Sequence, residues 1–501
     1  MITAFTGGAV HTFDPIERSW SVRDALVIED GRIRSLDARD VGATVQTIDL
    51  AGASIVPAFA DAHVHLTDTG LRAGDRDFSD VRDLATFERR IEALPCTRFV
   101  IAGNYDDAQW SDGAFATARA LERTHGDAIA LLVRVDAHSC IVTRAALAFA
   151  DIDPATPGIE RDAGGEPTGR LFLEANWLVQ AAIIAALPDA EKRAADRRAC
   201  AVALRAGALH LHVQLVGLGD SAAYAREIES LHQAGAAKWH PKICDPDPTI
   251  AHGLGLKYTG GDVFLDGSIG SGTAALDAPY CDRAGAGVLM MTDAEVEAYF
   301  ATAERLGISA VVHAIGDRAI EQCIATWERV LRNRPSPQAR HFIEHFEIAR
   351  PDQIERCARL GLYLSMQPQF DATWGGPGGL YEQRLGVPRA RGMNALKSAL
   401  RAGAILVGGD DSPVCALSPL AGMQAATEHY NDAERLDVEE AMTMYTYDAA
   451  RFGHVELQTG TLQRDYAADF VILEGDPFAA KSFAQTRVRE LWSNGTRVYE
   501  A

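Results

Sequence analysis

The middle of the chain alternates amphipathic segments of helical length with short apolar runs. Thr292 and Glu295 form a capping-box pattern, and the helix that it opens is predicted to end before Gly307. The next segments follow the same alternation: strand 308–313, helix 317–331, strand end 342–345, helix 351–360, strand 362–366, helix 395–402 and strand 404–407. Repeated β–α units predict a parallel sheet, open or closed.

Both ends of the chain have strand-like patterns. Segments 25–28, 47–50 and 54–56 resemble segments 468–473 and 488–492 in character, and Asn494-Gly495 marks a tight hairpin. We expect 1–56 and 455–501 to pair as one small β domain beside a domain of residues 57–454. Two unrelated β extensions are the alternative. The stretch from about 71 to 190 breaks the rhythm and is predicted to be a large insertion.

Composition and charge narrow the class of protein. The chain has 501 residues, 47% hydrophobic and 23% charged, which suits a large globular core. Its net charge of −21 argues against a nucleic-acid-binding surface. Eight scattered cysteines without a CxxC pair predict reduced thiols in a cytoplasmic protein. The N-terminus lacks a signal-peptide pattern and the apolar run 181–187 is too short to span a membrane, so no membrane association is expected.

Two His-x-His patterns occur in the chain. His63 and His65 follow a strand-like segment, where positions i and i+2 face the same way and can hold one ion. His210 and His212 repeat the pattern without a flanking carboxylate such as Asp61. We therefore expect the second pair to be buried, hydrogen-bonded histidines.

Three further candidate groups fall where short strands end. They are His313, His345 and the pair Asp410-Asp411. Active sites of TIM barrels lie at the carboxyl ends of the strands, and imidazole and carboxylate are ligands of zinc and similar ions.

This set of motifs resembles the amidohydrolase superfamily, and within it the branch that contains N-substituted formamide deformylases. The matching stretches are 57–65, 266–274, 313–319, 343–345, 409–413 and, near the end, 460–462 with 468–470. The resemblance spans nearly the whole chain. It implies a (β/α)8 TIM barrel, with a small β-sandwich domain formed by the two chain ends and the insertion after the first barrel strand.

The resemblance also implies a site and a mechanism. The implied ligands of a divalent metal, with zinc expected, are His63, His65 and Asp411, with His313 and His345 in addition. The ion activates a water molecule, while Asp411 accepts its proton and passes it to the leaving nitrogen. Asp411 is preferred over Asp410 because it stands two residues before Pro413, and His345 orients the water if one ion binds.

Substrate contacts are expected from two places. His138 belongs to a stretch, 136–139, that resembles a branch motif, although a structural histidine is equally compatible with the pattern. Trp374 lies in the loop 370–381, which is rich in glycine.

The sequence departs from the branch at two positions. Ala58 replaces a usual glycine, and Asp262 stands where the branch has a lysine that, when carboxylated, bridges two metal ions. A short side chain is not expected to reach the bridging position, so we expect one ion rather than two. Asp262 would then be a hydrogen-bonded or protonated residue inside the barrel, and a two-metal site closed by Asp262 or by water is the alternative.

The expected activity is hydrolysis of a non-peptide, amide-type C–N bond in a small molecule. A deaminase of the same superfamily would use the same ligands, and an assay for ammonia against carboxylate separates the two. A non-catalytic scaffold is the third possibility, which absence of any bound metal would favour. Homo-oligomerisation is left open by the sequence.

Overall fold

The computed structural model describes residues 2–40, 46–107, 110–135, 137, 139–216, 220–332 and 340–501, with only the backbone of Leu173. The chain divides into two compact units. One comprises residues 1–65, 201–411 and 415–501, and the other comprises 66–200 with 412–414.

The elements up to residue 205 run in the following order. The first strands are β1 (Ile2–Thr6), β2 (Ala9–Asp14), β3 (Ser19–Arg23), β4 (Leu26–Glu29), β5 (Arg32–Ser35), β6 (Gln46–Asp49), β7 (Ser54–Pro57) and β8 (Phe59–Val64). Then come α1 (Leu66–Leu71), α2 (Leu84–Glu92), β9 (Phe99–Tyr105), α3 (Arg119–His125), β10 (Ile129–Arg134), β11 (Ser139–Val142), α4 (Arg144–Ala150), β12 (Ile159–Arg161), β13 (Pro167–Phe172), α5 (Leu173–Ala185) and α6 (Asp189–Arg205).

The remaining elements alternate strands with helices before the closing strands. They begin with β14 (Ala208–Val216), α7 (Ser221–His232), β15 (Lys238–Cys244), α8 (Pro248–Gly253), β16 (Tyr258–Phe264), α9 (Asp293–Leu306), β17 (Ser309–Ala314), α10 (Asp317–Leu331), β18 (Phe342–His345), α11 (Pro351–Leu360) and β19 (Tyr363–Met366). They end with α12 (Pro368–Trp374), α13 (Leu380–Leu385), α14 (Val387–Arg391), α15 (Leu396–Ala402), β20 (Ile405–Gly408), α16 (Pro419–Thr427), α17 (Val438–Met444), α18 (Tyr447–Phe452), β21 (Phe470–Glu474), α19 (Pro477–Ala480), β22 (Arg487–Ser493) and β23 (Thr496–Glu500).

Within the described ranges, eight parallel strands make the centre of the first unit. Hydrogen bonds join them in the orders β15-β14-β8 and β16-β17-β18-β19-β20. Strand β15 lies beside β16, and β20 lies beside β8. The predicted β–α rhythm is confirmed here, including the Thr292–Glu295 capping box of α9. Parallel strands bring their carboxyl ends to one edge, so residues at or just past these ends can meet.

The strands of the two chain ends share one sheet. β21 pairs antiparallel with β7, so the order is β23-β22-β21-β7-β2-β3. A second sheet has the order β5-β4-β1-β6. The two sheets enclose an apolar core that includes Phe5, Ile28, Ile55 and Phe470, each buried.

The second unit contains its own sheet, in the order β12-β13-β11-β10-β9. Side chains alternate along β10: Ala130 and Leu132 pack in one apolar cluster, while Leu131 and Val133 pack in another. Each face of the sheet therefore has its own core, as a period of two residues requires. This unit comprises 66–200 with 412–414, and the stretch of 71–190 that the sequence singles out lies inside it.

Among the helices that the structure describes, none is long and apolar enough to cross a membrane. None of the eight cysteines, all of which lie in the described ranges, forms a disulfide, and six of them are buried.

Candidate metal centre

The five predicted metal ligands lie together at the carboxyl ends of the parallel strands. His63 and His313 lie within β8 and β17, His345 ends β18, and His65 and Asp411 follow β8 and β20. His345 and Asp411 have positive φ angles of 72° and 53°. Such strained backbone is costly for non-glycine residues and persists mainly at functional sites.

Three of these residues form the first donor group, which is His63, His65 and Asp411. Asp411 Oδ1 lies 3.4 Å from His63 Nε2 and 3.2 Å from His65 Nε2. Donor atoms at these distances can share one ion. The i, i+2 spacing of the two histidines places both imidazoles on the same side of the strand end, as the sequence predicts.

Asp262 lies between this group and a second donor group, which is His313 and His345. Its Oδ2 is 3.4 Å from His63 Nε2 and 3.1 Å from His65 Nε2. Its Oδ1 is 3.8 Å from Nδ1 of His313 and 3.9 Å from Nε2 of His345. From the sequence, Asp262 is expected inside the barrel, and it is a ligand only in the alternative of a two-metal site. The structure places its carboxylate among the predicted ligands.

A local distortion of β16 brings this short side chain to the site. Gly260 is aligned with Val311 of β17, and Phe264 is aligned with His313. Between these two aligned pairs, β16 advances by four residues while β17 advances by two, so β16 contains a bulge of two extra residues. Gly260 and Gly261 have φ angles of +88° and +122°, which glycine adopts far more readily than other residues. The expectation that an aspartate side chain is too short to reach the bridging position assumed that β16 is a regular strand. The bulge shows that β16 is not regular at this point.

Replacing Gly260 with alanine should destabilise the protein and weaken metal binding. The new Cβ would lie 1.9 Å from the carbonyl oxygen of Val311, so the bulge would have to move. Gly255 is a matched control because its φ is +75° but nothing lies within 4 Å of its Cβ position. We expect Gly260→Ala to cost about 1–3 kcal/mol more than Gly255→Ala, which is the scale of overpacking. Thermal unfolding measures this, and equal losses would contradict it.

In three of the four imidazoles, the ring nitrogen that faces away from Asp262 lies within hydrogen-bond distance of another protein group. His63 Nδ1 is 3.0 Å from Glu344 Oε2, and His345 Nδ1 is 2.9 Å from Gln367 Oε1. His313 Nε2 is 3.4 Å from the carbonyl oxygen of Gly267. Because these partners are acceptors, each ring can donate there, and its other nitrogen is then the one available to bind a metal ion.

A buried ion pair lies behind His63. Glu344 and Lys242 are fully buried, and the Lys242 ammonium contacts Glu344 Oε1 and donates to the carbonyl oxygen of Ala62 at 2.7 Å. Burial opposes ionisation of Glu344, but Lys242 and His63 lower the pKa of its carboxyl to about 2. Neither residue is assigned a role from the sequence. Glu344 is preceded by two apolar residues of β18, but β15 also contains Lys238 and His240, so Lys242 does not stand out there.

Two carboxylates, those of Asp262 and Asp411, lie among the histidines of the centre. Burial would raise the pKa of the Asp262 carboxyl, but His63, His313 and His345 hold it well below its usual range. Burial would likewise lower the pKa of His65, but Asp262 and Asp411 raise it to about 10. The surrounding histidines therefore favour the ionised form of Asp262 over the protonated form. Such a centre attracts positive charge, as protons or as a cation.

The donor atoms suit a metal ion. Among buried side-chain atoms without a hydrogen-bond partner, four point into this centre: His63 Nε2, Asp262 Oδ1, His313 Nδ1 and Asp411 Oδ1. Unpaired buried polar atoms are costly, and their convergence is what a cation would relieve. Imidazole nitrogen with carboxylate oxygen is a suitable set for zinc.

Asp410 has different partners from Asp411. It accepts hydrogen bonds from Gln369 Nε2 at 2.8 Å and from the backbone N–H of Ser418 at 2.6 Å. Asp61 accepts from the N–H groups of His63 and Asp410, at 3.0 and 3.1 Å, and so ties β8 to the segment after β20. The structure therefore brings Asp411, rather than its neighbour, to the histidines.

The other candidate residues lie elsewhere. His210 Nδ1 is 3.1 Å from His240 Nε2, and His212 stacks on Phe452, so the second His-x-His pair is buried and apart from the centre. Trp374 packs against Phe370, which stacks beside His345 with ring centroids 6.1 Å apart. His138 lies outside the described residues.

A model of the amidohydrolase family matches residues 46–499 of this chain. The chain belongs to the amidohydrolase family. It is 29% identical to the protein YtcJ of Bacillus subtilis (strain 168), which is named as an amidohydrolase, over 95% of this chain and 96% of that protein. It is 25% identical to the N-substituted formamide deformylase of Arthrobacter pascens, over 95% of this chain and 93% of that enzyme.

Solved structures agree with the fold of this amidohydrolase. A structure described as a metal-dependent hydrolase from Pyrococcus horikoshii OT3 has a TM-score of 0.78 at 23% identity. The match covers 96% of this chain and 99% of that one. At this identity the likeness shows the fold, which is a TIM-barrel-type α/β fold, and membership of the amidohydrolase family shows a hydrolase.

Proposed function

We propose that this amidohydrolase is a metal-dependent enzyme that hydrolyses a non-peptide, amide-type C–N bond of a small molecule. The observation that carries the proposal is the convergence of both donor groups on the Asp262 carboxylate, where three of their atoms and Asp262 Oδ1 have no hydrogen-bond partner. The name of the Arthrobacter relative, an N-substituted formamide deformylase, supports the amide-type bond. Zinc is the proposed ion because the donors are nitrogen and oxygen.

A bound divalent ion would lower the pKa of a water molecule and polarise a carbonyl oxygen. Asp411 is the proposed general base: its Oδ1 faces the centre without a hydrogen-bond partner, so it can accept the proton of the attacking water. It then returns the proton to the leaving nitrogen. His345 is the second proposed catalytic group, and Gln367 fixes the orientation of its ring.

The proposed substrate contact is Trp374. It extends an aromatic row from His345 through Phe370, and Tyr381 follows with ring centroids 6.3 Å from Trp374. Such a row suits an apolar substituent on the nitrogen of a small amide. His138 stays a prediction from the sequence.

The proposed architecture is a closed (β/α)8 barrel in residues 57–454, with the insertion after its first strand. The ends 1–56 and 455–501 form the proposed β-sandwich domain, and the mixed sheet of β7 and β21 supports it. Eight cysteines without a disulfide among the described residues support a reducing compartment, such as the cytoplasm, as its location.

Removal of metal should abolish turnover, and zinc should restore it. The test is release of amine and carboxylate from a panel of N-substituted formamides and simple N-acyl amines, before and after treatment with a chelator. Ammonia as the product would favour a deaminase. Metal-loaded protein that cleaves no member of the panel would contradict the proposed function.

A further inference from the structure

We propose that Asp262 bridges two metal ions, with Oδ2 binding the ion of the first donor group and Oδ1 the ion of the second. The bridge would form without carbon dioxide. The proposal rests on the metal centre of the proposed function and assigns Asp262 a role that a carboxylated lysine has in the branch that this chain resembles.

The two oxygens of Asp262 face different partners. Oδ2 is within 3.4 Å of both histidines of the first donor group, while Oδ1 is 3.8–3.9 Å from the nitrogens of the second. A carboxylate that served only the first ion would leave Oδ1, His313 Nδ1 and the lone pair of His345 facing one another inside the protein. Oδ1 and His313 Nδ1 have no hydrogen-bond partner. A second cation satisfies both atoms.

The path of the β16 backbone compensates for the short side chain of Asp262. A carboxylated lysine carries its anionic group at the end of a long stem, whereas aspartate carries it one methylene from Cα. Two extra residues in β16, between the positions aligned with Val311 and His313, move the backbone at Asp262 relative to a regular strand. The glycines before Asp262 allow the φ angles that this path needs.

Aspartate also has the same charge as the carboxylated lysine whose position it occupies. Aspartate and a carboxylated lysine each contribute one negative charge, so repulsion between two divalent ions is offset to the same extent. A lysine acquires its carboxylate by reaction of the free amine with CO2, which releases a proton and forms a carbamate. Asp262 needs no such reaction, so occupancy by metal should be independent of bicarbonate.

The first test is metal stoichiometry of the full-length protein. Metal-free protein, titrated with Mn²⁺ in CO2-depleted buffer, should bind two equivalents and show the EPR signal of a spin-coupled pair. Added bicarbonate should leave both results unchanged. The single ion expected from the sequence corresponds to one bound equivalent of Mn²⁺, and that result would overturn the proposal. Two bound equivalents without spin coupling would overturn it as well.

The second test is the variant Asp262→Asn. It keeps the size of the side chain but removes one anionic oxygen, and we expect the coupled signal to disappear and affinity for the second ion to fall at least ~10- to 100-fold. Asp410→Asn is the matched control, since it neutralises a buried carboxylate that contacts none of the site histidines. If Asp262→Asn fails to fold, Asp262→Glu should keep two equivalents with weaker binding. Unchanged affinity and coupling in Asp262→Asn would overturn the bridge.

These measurements do not depend on catalysis. Two coupled ions in a protein that cleaves no amide would contradict the proposed function and keep the bridge. One bound ion in a protein that hydrolyses an amide would contradict the bridge and keep the proposed function.

Discussion

Replacing Asp411 with asparagine should lower turnover at least ~10²-fold, the usual scale for a general acid–base group. The variant keeps the shape of the side chain but cannot accept the proton of the attacking water. Asp411 Oδ1 also lies 3.2–3.4 Å from both histidines of the first donor group, so metal content must be measured alongside kcat. A loss that persists in protein with full metal content assigns the effect to proton transfer.

Asp410→Asn is the control for this prediction, and its effect should be much milder. Asp410 carries the same carboxylate one residue away, but its contacts are Gln369, the Ser418 N–H and Tyr445. An amide oxygen can still accept from Gln369. If Asp410→Asn lost more turnover than Asp411→Asn, the assignment at the end of β20 would be wrong.

Breaking the buried pair of Lys242 and Glu344 should destabilise the protein by about 3–5 kcal/mol, because removing one partner leaves an uncompensated buried charge. Both side chains are fully buried. Lys242→Met and Glu344→Gln should each show this loss in urea unfolding of the metal-free protein. The double variant should lose much less than the sum of the two, since neither charge is then left alone.

An exposed pair offers the matched control. Arg329 and Glu297 are 2.9 Å apart with side chains 41% and 50% exposed, so Glu297→Gln should cost less than about 1 kcal/mol. Glu344→Gln should also weaken metal binding by about 10- to 100-fold, because Glu344 orients His63 from behind. Additive losses in the Lys242–Glu344 double variant would contradict the coupling.

Local patterns predicted much of the fold because they depend on nearby residues. The capping box of α9, the closing Gly361 of α11 and the Asn494-Gly495 hairpin all appear as expected. Positions at strand ends were predictable for the same reason. Once the alternation places a strand before His313 or His345, the parallel sheet brings both to one edge.

The contribution of Asp262 was not predictable from a regular pattern. Its position depends on a bulge, and a bulge is set by how β16 pairs with β17 rather than by β16 alone. Two consecutive glycines inside a strand were the available signal, since such glycines often mark a bulge. Glu344 and Lys242 were missed because their pairing joins strands about 100 residues apart in the chain.

The sheet shared by the chain ends has a consequence for synthesis on the ribosome. β7 pairs on one side with β21, about 400 residues later in the chain. At about 5–20 residues per second, one edge of β7 waits roughly 20–80 s for its partner. Until then Ile55 and its apolar neighbours lack the part of their core that β21 contributes. Strand β7 therefore completes its packing only after β21 has been synthesised, and chaperones have that interval in which to bind it.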